Sequence, residues 1–193
     1  MYRKSHAVRT FLCLLLTFVF VTVFSTQPLL AASDSKTSVA WPEAPLTNSG
    51  AACLMDADTG AILFDANMDE QRYPASITKV MTALLVAENR QPTDTVTFGE
   101  QAVSESIPGN ARIDVQLGET ITVEDALHAV LLASANEVCT QLAIDIAGSV
   151  EAFADMMNER AAALGCTNTH FTNPNGLPDP NHYTTAHDMA LIM

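Results

Sequence analysis

The sequence is poor in basic residues, poor in cysteine, and has no apolar run long enough to cross a membrane. Nine Lys and Arg stand against 22 Asp and Glu in 193 residues, a net charge of −13. Phosphate recognition needs clustered cations, so nucleic acid is excluded as a partner. Four cysteines, without a C-x-x-C pair and without histidine at zinc spacing, offer no metal framework. The five histidines form no H-E-x-x-H pattern or ligand pair at helical spacing, and neither metal nor cofactor is expected. The longest apolar stretch, Phe11–Phe24, falls short of the roughly 18 residues of a spanning helix. Eight Gly and nine Pro exclude a collagen-like or low-complexity chain, and 48% hydrophobic residues suffice for a core.

What is present is unevenly placed. Arg3, Lys4 and Arg9 precede the apolar run, which is followed by Pro28, Ala31, Ala32 and Ser33, and no acid occurs before Asp34. Residues 1–32 therefore read as a secretory signal peptide; an uncleaved N-terminal anchor is the competing reading of the same pattern. Both export the remainder of the chain, which holds six basic residues against 22 acidic ones, a net of −16. Cys53, Cys139 and Cys166 of the exported part have small or apolar neighbours. They read as buried small residues, with one disulfide plus a free thiol as the alternative.

Residues 33–48 are polar and contain proline, the composition of a linker or extended arm. From residue 49 to 193 a single domain is expected, with an α/β portion over 49–90 and a mostly helical portion over 91–193. AACLMDA and AILFDA flank Asp58-Thr59-Gly60, which predicts a β-hairpin. Ile77, Val80, Met81, Leu84 and Leu85 recur at helical spacing behind Ser76. Residues 91–121 read as loop with a short strand at Thr95–Phe98. Helices are predicted from Thr122, whose T-x-x-D pattern is a capping signal, from Ser134 to about Ile146, and from about Val150 to Leu164. A last helix begins after Thr184 or Thr185. His187 and Asp188 read as surface and capping residues, His128 as a packed or surface residue, and Met156 and Met157 as helix packing.

Two motifs carry chemistry. Ser76-Ile77-Thr78-Lys79 is S-x-x-K, and an i, i+3 spacing on a helix puts the hydroxyl and the amine on one face. A serine hydroxyl is a weak nucleophile until a base takes its proton, and a lysine serves once desolvation lowers its pKa. Standing alone, the motif is weak, and a serine N-cap with a solvated lysine is its favoured reading. Ser134-Ala135-Asn136 lies in a break between two predicted helices. Its hydroxyl suits proton relay and its carboxamide suits a substrate peptide bond, while the bland reading is an N-cap serine and a first-turn polar residue.

S-x-x-K followed by S-x-N resembles the penicillin-recognising serine enzymes, the penicillin-binding proteins and class A β-lactamases. PASITKVMTALL, LLASANEVCTQLA, FADMMNERAAALGCTNTHFTNPNGL and TTAHDMALI are similar to the low-molecular-mass D-alanyl-D-alanine carboxypeptidases, serine peptidase family S11, over roughly Ala51–Met193. The resemblance implies an α/β (α+β) fold of the β-lactamase/transpeptidase type, with the active site between an α/β part and an all-helical part. It implies Ser76 as acylated nucleophile, Lys79 as general base, Ser134 as proton relay and Asn136 as substrate ligand. It implies the peptidoglycan stem peptide as substrate, β-lactams as covalent inhibitors, and location in the cell envelope, with membrane association through a C-terminal anchor beyond this sequence.

Three departures bear on that expectation. Asn175 stands where the family commonly has histidine in N-P-H-G-L, and Glu137 where aspartate is usual after S-x-N; both read as mild. The family's K-T-G strand, which supplies a cation and one wall of the oxyanion hole, does not occur after S-x-N in this sequence. The site is therefore expected to be incomplete, activity impaired, and apolar sheet surface uncovered. A non-catalytic fragment or penicillin-binding sensor is the competing reading. A β-lactamase is disfavoured because residues 137–193 contain no E-x-x-L-N element.

Overall fold

A computed structural model describes residues 42–193; the expected signal peptide and the first part of the expected arm lie outside the described residues. Residues 44–48 are exposed and carry neither helix nor strand. Among the described residues the first element is the hairpin of β1 (Ala52–Met55) and β2 (Ile62–Ala66), antiparallel with Cys53 opposite Asp65 and a bulge after Leu54. Its turn is local chemistry. The Asp56 carboxylate accepts from the Thr59 amide at 2.8 Å and the Thr59 hydroxyl at 2.6 Å, bonds that also hold that carboxyl below its ordinary pKa. Leu54, Ile62 and Leu63 of this two-stranded sheet are exposed.

A 3-10 turn at Ala75–Thr78 leads into α1 (Lys79–Asn89). The apolar stripe expected here is rotated. Ile77 is exposed and Val80 only part-buried, whereas Thr78, Lys79, Met81, Thr82, Leu85 and Val86 face inward. Two hydroxyls and an amine thus occupy the buried face, which hydrophobicity alone cannot reveal; each has a hydrogen-bond partner on the distant 172–182 segment.

The stretch expected as loop holds more structure than its sequence pattern shows. β3 (Thr95–Thr97) pairs with β4 (Thr120–Thr122), and α2 (Glu100–Ser104) lies between them. All three are too short for a periodicity signal, and the β3–β4 pairing joins residues some 25 apart in the sequence. Thr122 then caps α3 (Val123–Leu132), its hydroxyl accepting from the Asp125 amide at 3.1 Å. α4 (Asn136–Ala147) ends at Gly148 in the left-handed region, and Ser149 caps α5 (Val150–Ala163). α6 (Ala186–Ile192) packs against β1, its N-terminus capped by Thr185.

Two apolar clusters meet on α1 and α4. One joins Val86, Val96, Phe98, Val123, Val130, Val138 and Leu142; the other joins Met81, Leu85, Phe153, Met157, Phe171 and Ile192. Met157 is fully buried and Met156 packs at the edge, while His128 is exposed. Among the described residues Cys53, Cys139 and Cys166 are free thiols, and only Cys139 is buried. Burial pushes the Cys139 thiol up to about 12 and the Cys166 thiol up to about 11, so neither is a nucleophile near neutral pH.

Asp188 corrects a surface assignment. It is 2% exposed, and its carboxylate accepts from the Asn168 amide at 2.8 Å and the Thr169 hydroxyl at 2.7 Å, tying the end of α5 to the start of α6. A charge-assisted hydrogen bond contributes roughly 1.5–3 kcal/mol. Asp188→Asn puts an N–H₂ against a donor and is expected to destabilise the protein by about 2–3 kcal/mol. A urea titration checks this; an unchanged midpoint would show that the carboxylate charge is immaterial.

Candidate active site

The site forms where the 3-10 turn, the α3–α4 break and the 172–177 loop converge. Ala75 and Ser134 both sit in the left-handed region, at φ 48° and 57°. A side chain there costs about 1–3 kcal/mol, and such positions cluster at functional sites. The Ala75 kink leaves Ser76 exposed at the head of the turn. The Ser134 kink breaks the chain between α3 and α4, so that α4 restarts with Asn136.

Lys79 is the hub. It is 2% exposed, and its Nζ donates to Ser76 Oγ at 3.2 Å, Asn136 Oδ1 at 2.9 Å and the Asn175 carbonyl at 2.7 Å. Three acceptors saturate an ammonium. Burial pushes the lysine below its ordinary pKa, while Glu137 opposes that shift. Desolvation of this kind prepares an amine to act as a base. Asn136 is buried with its Oδ1 committed to Lys79, which leaves its Nδ2 hydrogens free to donate.

Ser134 lines the same cleft, of about 490 Å³, with Ser76, Lys79, Val130 and Leu131. Its hydroxyl is buried without a hydrogen-bond partner. The four residues singled out from sequence are thus brought together, three of them in one hydrogen-bonded chain and Ser134 beside it.

Sequence reasoning missed the other half of the site. Asn175, read as a mild loop change, is buried; its carbonyl holds Lys79 and its Nδ2 donates to Glu105 Oε2 at 3.3 Å. Glu105 also accepts from the Thr140 hydroxyl at 2.7 Å, and burial raises its pKa. Glu137 is fully buried; one oxygen accepts from the Ile113 amide at 2.6 Å and the other has no partner. Gly176 lies so close to the Ala75 carbonyl that a Cβ there would stand 1.9 Å from the oxygen. Asn173-Pro174-Asn175-Gly176 has the composition of a turn, but nothing local marks that the turn closes on the S-x-x-K segment.

A family model described as D-alanyl-D-alanine carboxypeptidase, peptidase S11, matches residues 38–193. The chain belongs to that family. It is 36% identical over 188 residues to the D-alanyl-D-alanine carboxypeptidase DacA of Haemophilus influenzae, covering 95% of this chain and 46% of the relative. It is 34% identical over 190 residues to DacF of Bacillus subtilis, covering 96% and 47%. Penicillin-binding protein 5 of Haemophilus influenzae superposes with a TM-score of 0.72 at 38% identity, over 77% of this chain and 44% of that one. Penicillin-binding protein 6B of Escherichia coli gives 0.74 at 34% identity, over 80% and 51%. The fold is thus the penicillin-binding-protein fold, of which this member of the carboxypeptidase family carries part. The chain spans less than half the length of the curated relatives it matches.

Proposed function

We propose that this chain carries the nucleophilic half of a serine-type D-Ala-D-Ala carboxypeptidase acting on peptidoglycan stem peptides in the cell envelope. The observation that carries the reading is the buried Lys79 amine, 3.2 Å from an exposed serine hydroxyl on the following edge of the cleft. In its neutral form Lys79 takes the Ser76 proton as Oγ attacks the carbonyl of the penultimate D-alanine. The C–N bond breaks, the terminal D-alanine leaves with a proton, and water later releases the acyl group from Ser76. The unpartnered Ser134 hydroxyl is suited to pass the proton from Lys79 to the departing amine, and the free Nδ2 of Asn136 to hold the substrate's peptide carbonyl. A β-lactam presents the same reacting carbonyl and acylates the same oxygen.

Labelling with a fluorescent penicillin tests the assignment, on this chain and on any in-frame extension that contains K-T-G. The extended form is expected to label, its Ser76→Ala variant not at all, and the 193-residue chain only weakly. A folded extended form that takes no label would sink the assignment of Ser76.

A further inference from the structure

The segment from His170 to Tyr183 is a closed loop. Its base is a two-way backbone bridge, the His170 amide to the Tyr183 carbonyl at 2.8 Å and the Tyr183 amide to the His170 carbonyl at 2.9 Å. Its tip is tied internally by the Asn173 carboxamide, which accepts from the Gly176 amide at 2.7 Å. Four contacts join this loop to the segment that holds the nucleophile. Thr82 donates to the Pro174 carbonyl at 2.6 Å, Lys79 donates to the Asn175 carbonyl, Gly176 packs on Ala75, and His182 Nε2 lies 2.8 Å from Thr78 Oγ1. The last of these involves an imidazole, the side chain whose ordinary pKa of about 6.5 lies closest to neutral, and Thr78 adjoins Lys79 in the chain.

The hydrogen-bonding pattern assigns the ring's state. His182 is 2% exposed and packs edge-on against Phe171, with ring centroids 5.5 Å apart. Its Nδ1 is 3.1 Å from the Thr172 amide nitrogen. An amide N–H can only donate, so Nδ1 carries a lone pair, Nε2 carries the proton, and Nε2–H donates to Thr78. An imidazolium has N–H at both positions. Its Nδ1–H would turn to the Thr172 hydroxyl, 3.3 Å away, and would leave the part-buried Thr172 amide facing a donor.

We propose that His182 is a positioning residue whose neutral ring clamps the 170–183 loop onto the Ser76–Lys79 turn, and that protonation of the ring releases the clamp. The proposal rests on the reading of Ser76 and Lys79 as the reacting pair. Release draws back the loop whose Asn175 carbonyl is one of the three acceptors of Lys79. The charged and titratable groups that bear on the ring are few. Burial dominates and lowers its pKa; Asp179 on the same loop favours the protonated form, His170 at the base opposes it, and Lys79 is the cation of the facing turn. A histidine whose pKa is lower folded than unfolded gives stability that is complete above the ordinary value of about 6.5. That stability is lost as pH falls from there towards the folded value.

Long-range proton–nitrogen correlation on the full chain reads the tautomer directly, and amide exchange of Thr172 reads the clamp. At pH 7.5 the ring is expected as Nε2–H. As pH falls through the ring's titration, Thr172 exchange, corrected for intrinsic pH dependence, is expected to rise about tenfold or more. His182→Gln offers an acceptor and a donor at similar reach without titrating, and should hold exchange flat across that range. His182→Ala should exchange fast at every pH. Penicillin acylation should fall more steeply with acid in the wild type than in the Gln variant, which keeps only the Lys79 dependence. An Nδ1–H tautomer, or the same acid dependence of Thr172 exchange in the Gln variant, would overturn the clamp. If Ser76 takes no penicillin at any pH, the proposed function fails, while the tautomer and exchange measurements still judge His182.

Discussion

Gly176→Ala is expected to destabilise the protein by about 2–4 kcal/mol and to displace Ser76 from Lys79. Two effects add. The residue sits at φ 81°, where an L side chain costs about 1–2 kcal/mol. The new Cβ would also stand 1.9 Å from the Ala75 carbonyl oxygen, 2.4 Å from its carbon and 3.0 Å from Thr78 Oγ1. Backbone cannot swing aside as a flexible side chain does, so Ala75 or the whole loop must move. Ala75 is itself held in a left-handed kink that sets the position of Ser76. Gly60→Ala isolates the conformational part: φ is 70° there and no atom lies within 4 Å of the added Cβ. Urea titrations of both variants should give about 1–2 kcal/mol for Gly60→Ala and clearly more for Gly176→Ala. Equal losses would show that the loop yields freely and that the close approach has no structural weight.

Lys79→Met is expected to slow penicillin acylation of Ser76 by roughly 10²–10⁴-fold, the range for removal of a general base. The measurement is a time course of fluorescent labelling, on the extended form if the 193-residue chain labels too weakly. The pH dependence separates a base from a spacer. Acylation should rise with pH as Lys79 loses its proton, with a midpoint below the ordinary lysine value of about 10.4, because burial disfavours the ammonium. The methionine variant should lack that rise. Stability supplies a second check with a fixed sign. Where the folded lysine has the lower pKa, the unfolded chain binds more protons between the folded value and about 10.4, so stability rises with pH across that window. Below it the cost of the buried charge is felt in full. The wild type should therefore gain stability between neutral pH and pH 10 relative to Lys79→Met. A labelling rate unaffected by the substitution would remove Lys79 from the mechanism.

The legible part of the site was the part that depends on short spacing. Ser76 and Lys79 are one turn apart on a helical segment, and Ser134 and Asn136 straddle a helix break, so neighbouring sequence determines each pair. Helix starts were legible for the same reason at Thr122 and Thr185, whose hydroxyls each accept from an amide three residues on. The inward face of α1 was not legible, because Thr78, Lys79 and Thr82 are buried only where partners on the 172–182 segment receive them. Asp188 was placed on the surface because a carboxylate near a helix start is usually solvated; the amides and hydroxyl that bury it belong to residues 167–169, in the loop after α5.

By itself the sequence determined the family, the hairpin, the longer helices and the candidates Ser76, Lys79, Ser134 and Asn136. The elements and the candidate residues rest on local periodicity, capping or a motif of three or four residues, and the family on longer stretches of similar sequence around them. Tertiary structure alone decided that the lysine is dry, that its third acceptor is a main-chain carbonyl 96 residues away, and that one glycine must pass against Ala75. It also placed His182 between Thr78 Oγ1, 2.8 Å from Nε2, and the Thr172 amide, 3.1 Å from Nδ1. The physical reason is the same throughout. A carbonyl, an amide or an absent Cβ has no side-chain identity to read, and the pKa of a buried amine or imidazole depends on which distant groups desolvate it and bond to it.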